Sequence, residues 1–263
     1  MEYLLINRVA FTFLGIEIYW YGVIMCLAIL SVFLLSLSFC KDVGYSTDLP
    51  INIAFVILPS GILSARLFAV LFDDSLSLMD FFKFRTGGLS IIGAVIGGTL
   101  GLLVYAGIKK EKNVLKWFDI IASVLLLAQA VGRWGNYFNS EVYGTVVLQN
   151  FPLKFFPFVV DGADGLLHYA LFFYESVLDL IGFIFLARIF HTSKKYGITT
   201  ACYLIYYGTI RTILETVRDE AFVLKLFGLP ISQICSAIMV VIGIIMLIYI
   251  NVQKGKKVAK NEE

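Results

Sequence analysis

The chain has 263 residues, of which 59% are apolar and only 15% are charged, with a mean hydropathy of +0.87. Soluble domains carry about 25% charged residues, so a water-facing globule is excluded. Its 21 basic and 19 acidic side chains leave a net charge of +2, which excludes bulk electrostatic attraction as a basis for binding nucleic acid.

A bilayer core of about 30 Å calls for roughly 20 predominantly apolar residues per helix. In chain order, runs of that length fall at 18–39, at 49–72 with Arg66 inside, and at 87–108. A fourth, at 115–138, contains Asp119 and Arg133; a fifth, at 170–190, contains Glu175 and Asp179. The sixth, at 196–217, contains Arg211 and Glu215, and the seventh, at 231–250, is free of charge. The pattern predicts an all-α integral membrane protein with seven transmembrane helices, forming a single domain over 1–263. Strands of the outer-membrane type would be about 10 residues long with period-2 polarity, and these runs are continuous. The N-terminal run is too long, and its leading segment too poor in basic residues, for a cleaved signal peptide.

Orientation follows from the basic residues of the connections. One set of loops, with the tail at 251–263, holds twelve: Lys41, Lys109, Lys110, Lys112, Lys116, Arg188, Lys194, Lys195, Lys254, Lys256, Lys257 and Lys260. The other holds six: Arg8, Lys83, Arg85, Lys154, Arg218 and Lys225. The N-terminus is therefore expected outside and the basic tail in the cytoplasm. The long connection at 134–169, rich in aromatics such as Phe151, Phe155, Phe156 and Phe158, is expected to rest outside on the membrane surface. Cys26, Cys40, Cys202 and Cys235 are scattered without metal-ligand or disulfide spacing and read as packing residues.

Arg66, Arg133 and Arg211 belong to no loop. An arginine within a spanning helix costs at least about 2.5–3.5 kcal/mol and needs a partner, a wet cavity or an anionic ligand. The orientation places all three toward the outer leaflet, with Glu175 at the same end and Glu175 and Glu215 as the available partners. Three guanidinium groups against two carboxylates leave a surplus that suits the phosphate of a phospholipid headgroup, which arginine binds bidentately. Gly87 and Gly88 are expected to open the third helix with free amides that could contact the same phosphate. Gly93, Gly97 and Gly101 recur every fourth residue, the small-residue pattern of closely packed membrane helices. The densest polar stretch, Gly132-Arg133-Trp134-Gly135-Asn136-Tyr137-Phe138-Asn139-Ser140-Glu141-Val142-Tyr143-Gly144, lies where the fourth helix reaches the outer surface.

This stretch resembles the signature Gly-Arg-x-Gly-Asn-x-x-Asn-x-Glu-x-x-Gly of the prolipoprotein diacylglyceryl transferases, without a gap. Shorter features of that family follow in order: Trp20-Tyr21-Gly22, Ala65-Arg66, Gly87-Gly88-Leu89-Ser90, Tyr174-Glu175, and Tyr207-Gly208 with Arg211, Glu215 and Arg218. The resemblance implies transfer of the diacylglyceryl group of phosphatidylglycerol to the lipobox cysteine of a prolipoprotein, with release of glycerol phosphate. The implied setting is the bilayer of a bacterial cytoplasmic membrane, with the site at the outer leaflet and no cofactor or metal.

On this resemblance Arg133, Arg211, Tyr21 and Glu141 are the catalytic candidates. Arg133, Arg211, Asn136, Asn139, Gly144, Tyr207, Arg66, Gly87 and Gly88 are the candidates for holding the lipid, with Glu175, Glu215 and Arg218 in support. Many family members carry a histidine, a candidate base, where this chain has Ile92, and a glycine where it has Ala94; Tyr169 and Ala170 replace a His-Pro pair. Three accounts follow: another base, with Glu141, Tyr21 or His168 available; a thiol activated by the arginines alone; or a paralogue that binds or translocates phospholipid without catalysis.

Overall fold

The computed structural model describes residues 7–72, 76–83, 88–223, 225–226 and 228–262. Seven long helices fall on the seven apolar runs: α1 (Trp20–Asp42), α2 (Asp48–Phe72), α3 (Ile91–Ile108), α4 (Val114–Asn139), α5 (Leu171–Thr192), α6 (Ile198–Glu215) and α7 (Ile231–Glu262). Five of them, α1 to α4 and α7, are long and apolar enough to cross a membrane. The other two carry the charges that set them apart: Glu175, Asp179 and Arg188 in α5, and Arg211 and Glu215 in α6.

Among the described residues three short antiparallel hairpins, which the apolar pattern does not reveal, supplement the helices. They are β1 (Val9–Phe13) with β2 (Ile16–Tyr19), β3 (Val159–Asp161) with β4 (Leu167–Tyr169), and β5 (Lys225–Leu226) with β6 (Leu229–Pro230). Strands of two to five residues leave too little alternation to be read from sequence. The connection expected from residue 134 begins six residues later, because α4 continues through Asn139.

The chain divides into two compact units, residues 37–117 and residues 1–36 with 118–263. In the first, α2 and α3 pack through the predicted glycine stripe. A Cβ on Gly93 would lie 2.6 Å from Ser64 O, one on Gly97 2.1 Å from Ser64 Cβ, and one on Gly101 2.5 Å from Ser60 Oγ. Each turn of α3 thus admits the α2 backbone or a serine where any larger residue would collide, the close approach by which helices associate in lipid. In the second unit, Ala122, Leu126, Leu186 and Tyr203 form a buried cluster joining α4, α5 and α6. Gly182 admits the Tyr206 ring, 2.1 Å from where its Cβ would stand.

Asp119 shows how a charge inside an apolar helix is absorbed. It receives the backbone N–H of Gly197 at 2.6 Å and of Thr200 at 2.8 Å, with the Thr200 hydroxyl at 2.6 Å. Amides at a helix N-terminus lack intrahelical partners and favour a negative charge, so Asp119 of α4 caps α6.

Candidate active site

In the larger unit, five ionised side chains form an unbroken chain. Arg133 Nη2 lies 2.5 Å from Glu175 Oε1; Arg211 bridges Glu175 Oε2 at 3.2 Å and Glu215 Oε2 at 2.9 Å; Arg218 closes on Glu215 at 3.2 Å. Each glutamate is shared by two arginines. Fourth-turn spacing does part of this work, since Arg211 and Glu215 are i,i+4 on α6. The two glutamates are 3% and 1% exposed, whereas the arginines retain 12–20%. Three positive charges therefore stand in front of two negative ones, with the cations on the accessible side. Tyr207 adds its hydroxyl, 3.3 Å from Arg133 Nη2.

A second cluster sits at the end of α4. Ser140 (φ 52°) and Val142 (φ 60°) both take the left-handed backbone, which a β-branched residue rarely adopts. This turn folds Glu141 back onto the helix: its N–H reaches Asn136 O at 3.1 Å, and its Oε1 accepts from Asn136 Nδ2 and Asn139 Nδ2, each at 3.1 Å. Glu141 Oε2 makes no hydrogen bond among the described residues. Arg8 secures the same end by donating to Asn139 O at 2.8 Å. Tyr21 lies against Gly135 and within electrostatic reach of both Glu141 and Arg133, so it links the two clusters.

Gly144, the last residue of the polar run, is stitched to the end of α6. Its N–H donates to Tyr169 O at 2.8 Å, Thr145 N–H donates to Val217 O at 2.8 Å, and Gly144 forms a bridge with Arg218. A Cβ there would meet Val217 O at 2.9 Å, so only glycine fits. From the β3–β4 hairpin, His168 fixes this junction, with Nδ1 2.7 Å from Gly144 O and Nε2 3.0 Å from Asp164 Oδ1. Burial pushes the Arg218 guanidinium below its ordinary pKa, and Arg211 adds to the effect.

The sequence model of the prolipoprotein diacylglyceryl transferase family matches residues 8–249. The chain belongs to this family. A phosphatidylglycerol--prolipoprotein diacylglyceryl transferase of Clostridium botulinum (strain Loch Maree / Type A3) is 35% identical over 256 residues, 95% of this chain and 99% of its own length. Proteins of the same name from Clostridioides difficile (35% over 258 residues, 97% and 99%) and Clostridium kluyveri (34% over 257 residues, 96% and 99%) are similar to it.

Within this family member, the structure brings together Tyr21, Arg133, Asn136, Asn139, Glu141, Gly144, Glu175, Tyr207, Arg211, Glu215 and Arg218. It gives Arg66 a different task. That side chain is 0% exposed, and its Nε, Nη1 and Nη2 donate to Asp80 O (3.0 and 2.6 Å), Gly88 O (2.8 Å) and Lys83 O (2.9 Å). Arg66 thus secures the 3-10 turn Leu78–Phe82 and the approach to α3 through backbone carbonyls. Gly88 (φ +71°) supplies one of those carbonyls, and a Cβ on it would stand 2.9 Å from Arg66 Nη1. It does not open α3 either: Ser90 caps that helix, accepting from Gly93 N–H at 3.3 Å. Gly87 lies outside the described residues. Ile92, in the first turn of α3, has no atom that accepts a proton.

His168 is 1% exposed with both ring nitrogens engaged, which makes it a clasp and removes it as a base. Sequence reasoning assigned nothing to Asp179, one turn beyond Glu175 and fully buried. The i,i+4 spacing of the two carboxylates was the available signal. Among the described residues no group of three or more His, Cys, Asp or Glu side chains is placed to hold a metal ion.

Proposed function

We propose that this protein is an enzyme of the bacterial cytoplasmic membrane that transfers the diacylglyceryl group of phosphatidylglycerol to the lipobox cysteine thiol of prolipoproteins. The observation that carries the reading is the alternating chain Arg133–Glu175–Arg211–Glu215–Arg218, with one positive charge in excess and its cations on the accessible side. That excess matches the single charge of a phosphodiester. The relatives' printed name supplies the substrate pair.

In the reaction the thiol sulfur attacks the glyceryl carbon that bears the phosphate. A C–S bond forms, the C–O bond breaks, and its electron pair leaves with the phosphate as glycerol phosphate. Negative charge grows on the phosphate oxygens, where Arg133 and Arg211 stand preorganised by their glutamates; one such donor is typically worth about 10² to 10³ in rate. The thiolate is the reactive form, so the thiol proton must leave. Glu141 Oε2 is the acceptor with an open lone pair, and its Oε1 is held by Asn136 and Asn139. Tyr21 and Tyr207 orient the headgroup between the clusters, and Gly144 with Arg218 borders it. An apolar groove of about 260 Å³, lined by Ile24, Leu127, Val131, Trp134 and Leu180, suits an acyl chain.

All seven helices span the bilayer in this reading, with the N-terminus outside, the tail in the cytoplasm and the site in the outer leaflet. The twelve-to-six division of basic residues supports that orientation. Arg211 of α6 pairs with Glu175 of α5 and with Glu215, which lowers the cost of inserting these three charges.

The test is glycerol phosphate release by purified protein supplied with phosphatidylglycerol and a lipobox peptide. Release by wild type is expected in spite of Ile92. Lipid movement between leaflets without release would favour a non-catalytic lipid-handling role.

A further inference from the structure

Asp179 is a buried carboxylate beside the chain of ion pairs that none of those pairs uses. It is 0% exposed, and neither Oδ1 nor Oδ2 has a hydrogen-bond partner. It lies one turn from Glu175 on α5, within electrostatic reach of Arg133 and Arg211. The charged and titratable groups that act on it are Glu175 on its own helix, Arg133 on α4, and Arg211, Tyr203, Tyr206 and Tyr207 on α6.

The charge count gives this position a use. Arg133, Arg211 and Arg218 contribute three positive charges; Glu175 and Glu215 contribute two negative ones. With Asp179 ionised this chain of ion pairs and Asp179 are together neutral, and with Asp179 protonated they carry one positive charge. A buried charge is tolerated only when the surrounding charge compensates it. The empty site compensates an Asp179 carboxylate better than a site holding a phosphodiester anion does, because the lipid neutralises the surplus. Two negative groups would compete for one positive charge in a region from which water is excluded.

We propose that Asp179 is a positioning residue that serves as an exchangeable counter-charge: it carries the negative charge while the headgroup site is empty and takes up one proton when the phosphate of the anionic phospholipid binds. The proposal rests on the phosphatidylglycerol reading above. Binding then consumes a proton, so affinity falls as pH rises wherever the empty site holds Asp179 ionised, by about tenfold per pH unit. Release of the more highly charged glycerol phosphate and return of the proton restore the empty state.

The experiment uses the full chain in nanodiscs. Phosphatidylglycerol, with phosphatidylcholine as the zwitterionic control, is titrated into wild type, Asp179→Asn and Asp179→Glu from pH 5.5 to 9. Equilibrium binding, proton uptake reported by a pH-sensitive dye, and the KM and kcat of glycerol phosphate release are read. Expected are proton uptake of up to one per phosphatidylglycerol bound by wild type and a KM that rises with pH. Asp179→Asn should bind the lipid about tenfold more tightly at the upper end of the range, with no pH slope. Asp179→Glu should recover the slope. Binding and turnover by wild type without proton uptake would overturn the counter-charge and leave the functional reading intact, even if both variants failed to fold. An Asn variant that keeps the wild-type pH slope would do the same. Wild type that neither binds phosphatidylglycerol nor releases glycerol phosphate would overturn the functional reading, and this proposal with it.

Discussion

Gly135 presents a bare Cα to the ring of Tyr21: a Cβ on Gly135 would lie 2.6 Å from Tyr21 Cδ2 and 2.9 Å from Cε2. The second glycine of the signature is therefore a space for the tyrosine that joins the arginine chain to the Glu141 turn. Gly135→Ala should displace the Tyr21 ring. Overpacking of this kind costs about 1–3 kcal/mol, and misplacing a substrate-positioning group can cost about 10²-fold in rate. Glycerol phosphate release should fall by more than the loss of thermal stability accounts for, and Tyr21→Ala with Gly135→Ala should be no slower than Tyr21→Ala alone.

Arg133→Ala and Arg211→Ala should each lower turnover by about 10² to 10³, measured as glycerol phosphate release at saturating lipid. Lysine at either position should not rescue it, because an ammonium lacks the planar fork that reaches a carboxylate and a phosphate together. Wild-type turnover in both alanine variants would remove these residues from the chemistry.

Glu175→Gln separates stability from chemistry. Glu175 is shared by Arg133 and Arg211, so its neutralisation leaves two guanidinium groups without their common anion. Breaking a buried pair by removing one partner costs about 3–5 kcal/mol. A marked drop in melting temperature is expected, smaller when phosphatidylglycerol is present because its phosphate replaces part of the missing charge.

Arg66→Ala should destabilise the chain without disabling the lipid site. The carbonyls of Asp80, Lys83 and Gly88 lose their donor. Hydrogen bonds to a charged donor of this kind are worth about 1.5–3 kcal/mol each. The KM of the folded fraction for phosphatidylglycerol should stay near the wild-type value, whereas an increase of several fold would return Arg66 to the headgroup.

The β3–β4 hairpin should respond to acid. The Leu166 N–H, and then His168, hold the Asp164 carboxyl below its ordinary pKa. A carboxylate with a depressed folded-state pKa contributes stability that is present above its unfolded value of about 3.9 and lost as pH falls through the folded value. The protection of the hairpin amides against hydrogen exchange, Gly162 and Tyr169 among them, should fall below about pH 4, and Asp164→Asn should show the lower protection already at neutral pH.

The sequence by itself determined the seven helices and the polar residues that the fold gathers around Arg133 and Arg211. Apolar run length and the succession of signature residues are properties of neighbours along the chain, so they are visible before folding. The α2–α3 glycine stripe was legible for the same reason, since every fourth residue returns to one face of a helix. Only the tertiary structure decided what each buried charge does. Arg66 was indistinguishable by depth from Arg133 and Arg211, yet its donors are spent on carbonyls brought close by the turn at Leu78–Phe82. Asp119 and Asp179 both read as charges in apolar helices, but one caps α6 and the other has no hydrogen bond. Such pairings join residues tens of positions apart, 42 for Arg133 and Glu175 and 78 for Asp119 and Gly197. Which donor meets which acceptor across that separation follows from helix packing, and local sequence carries no record of it.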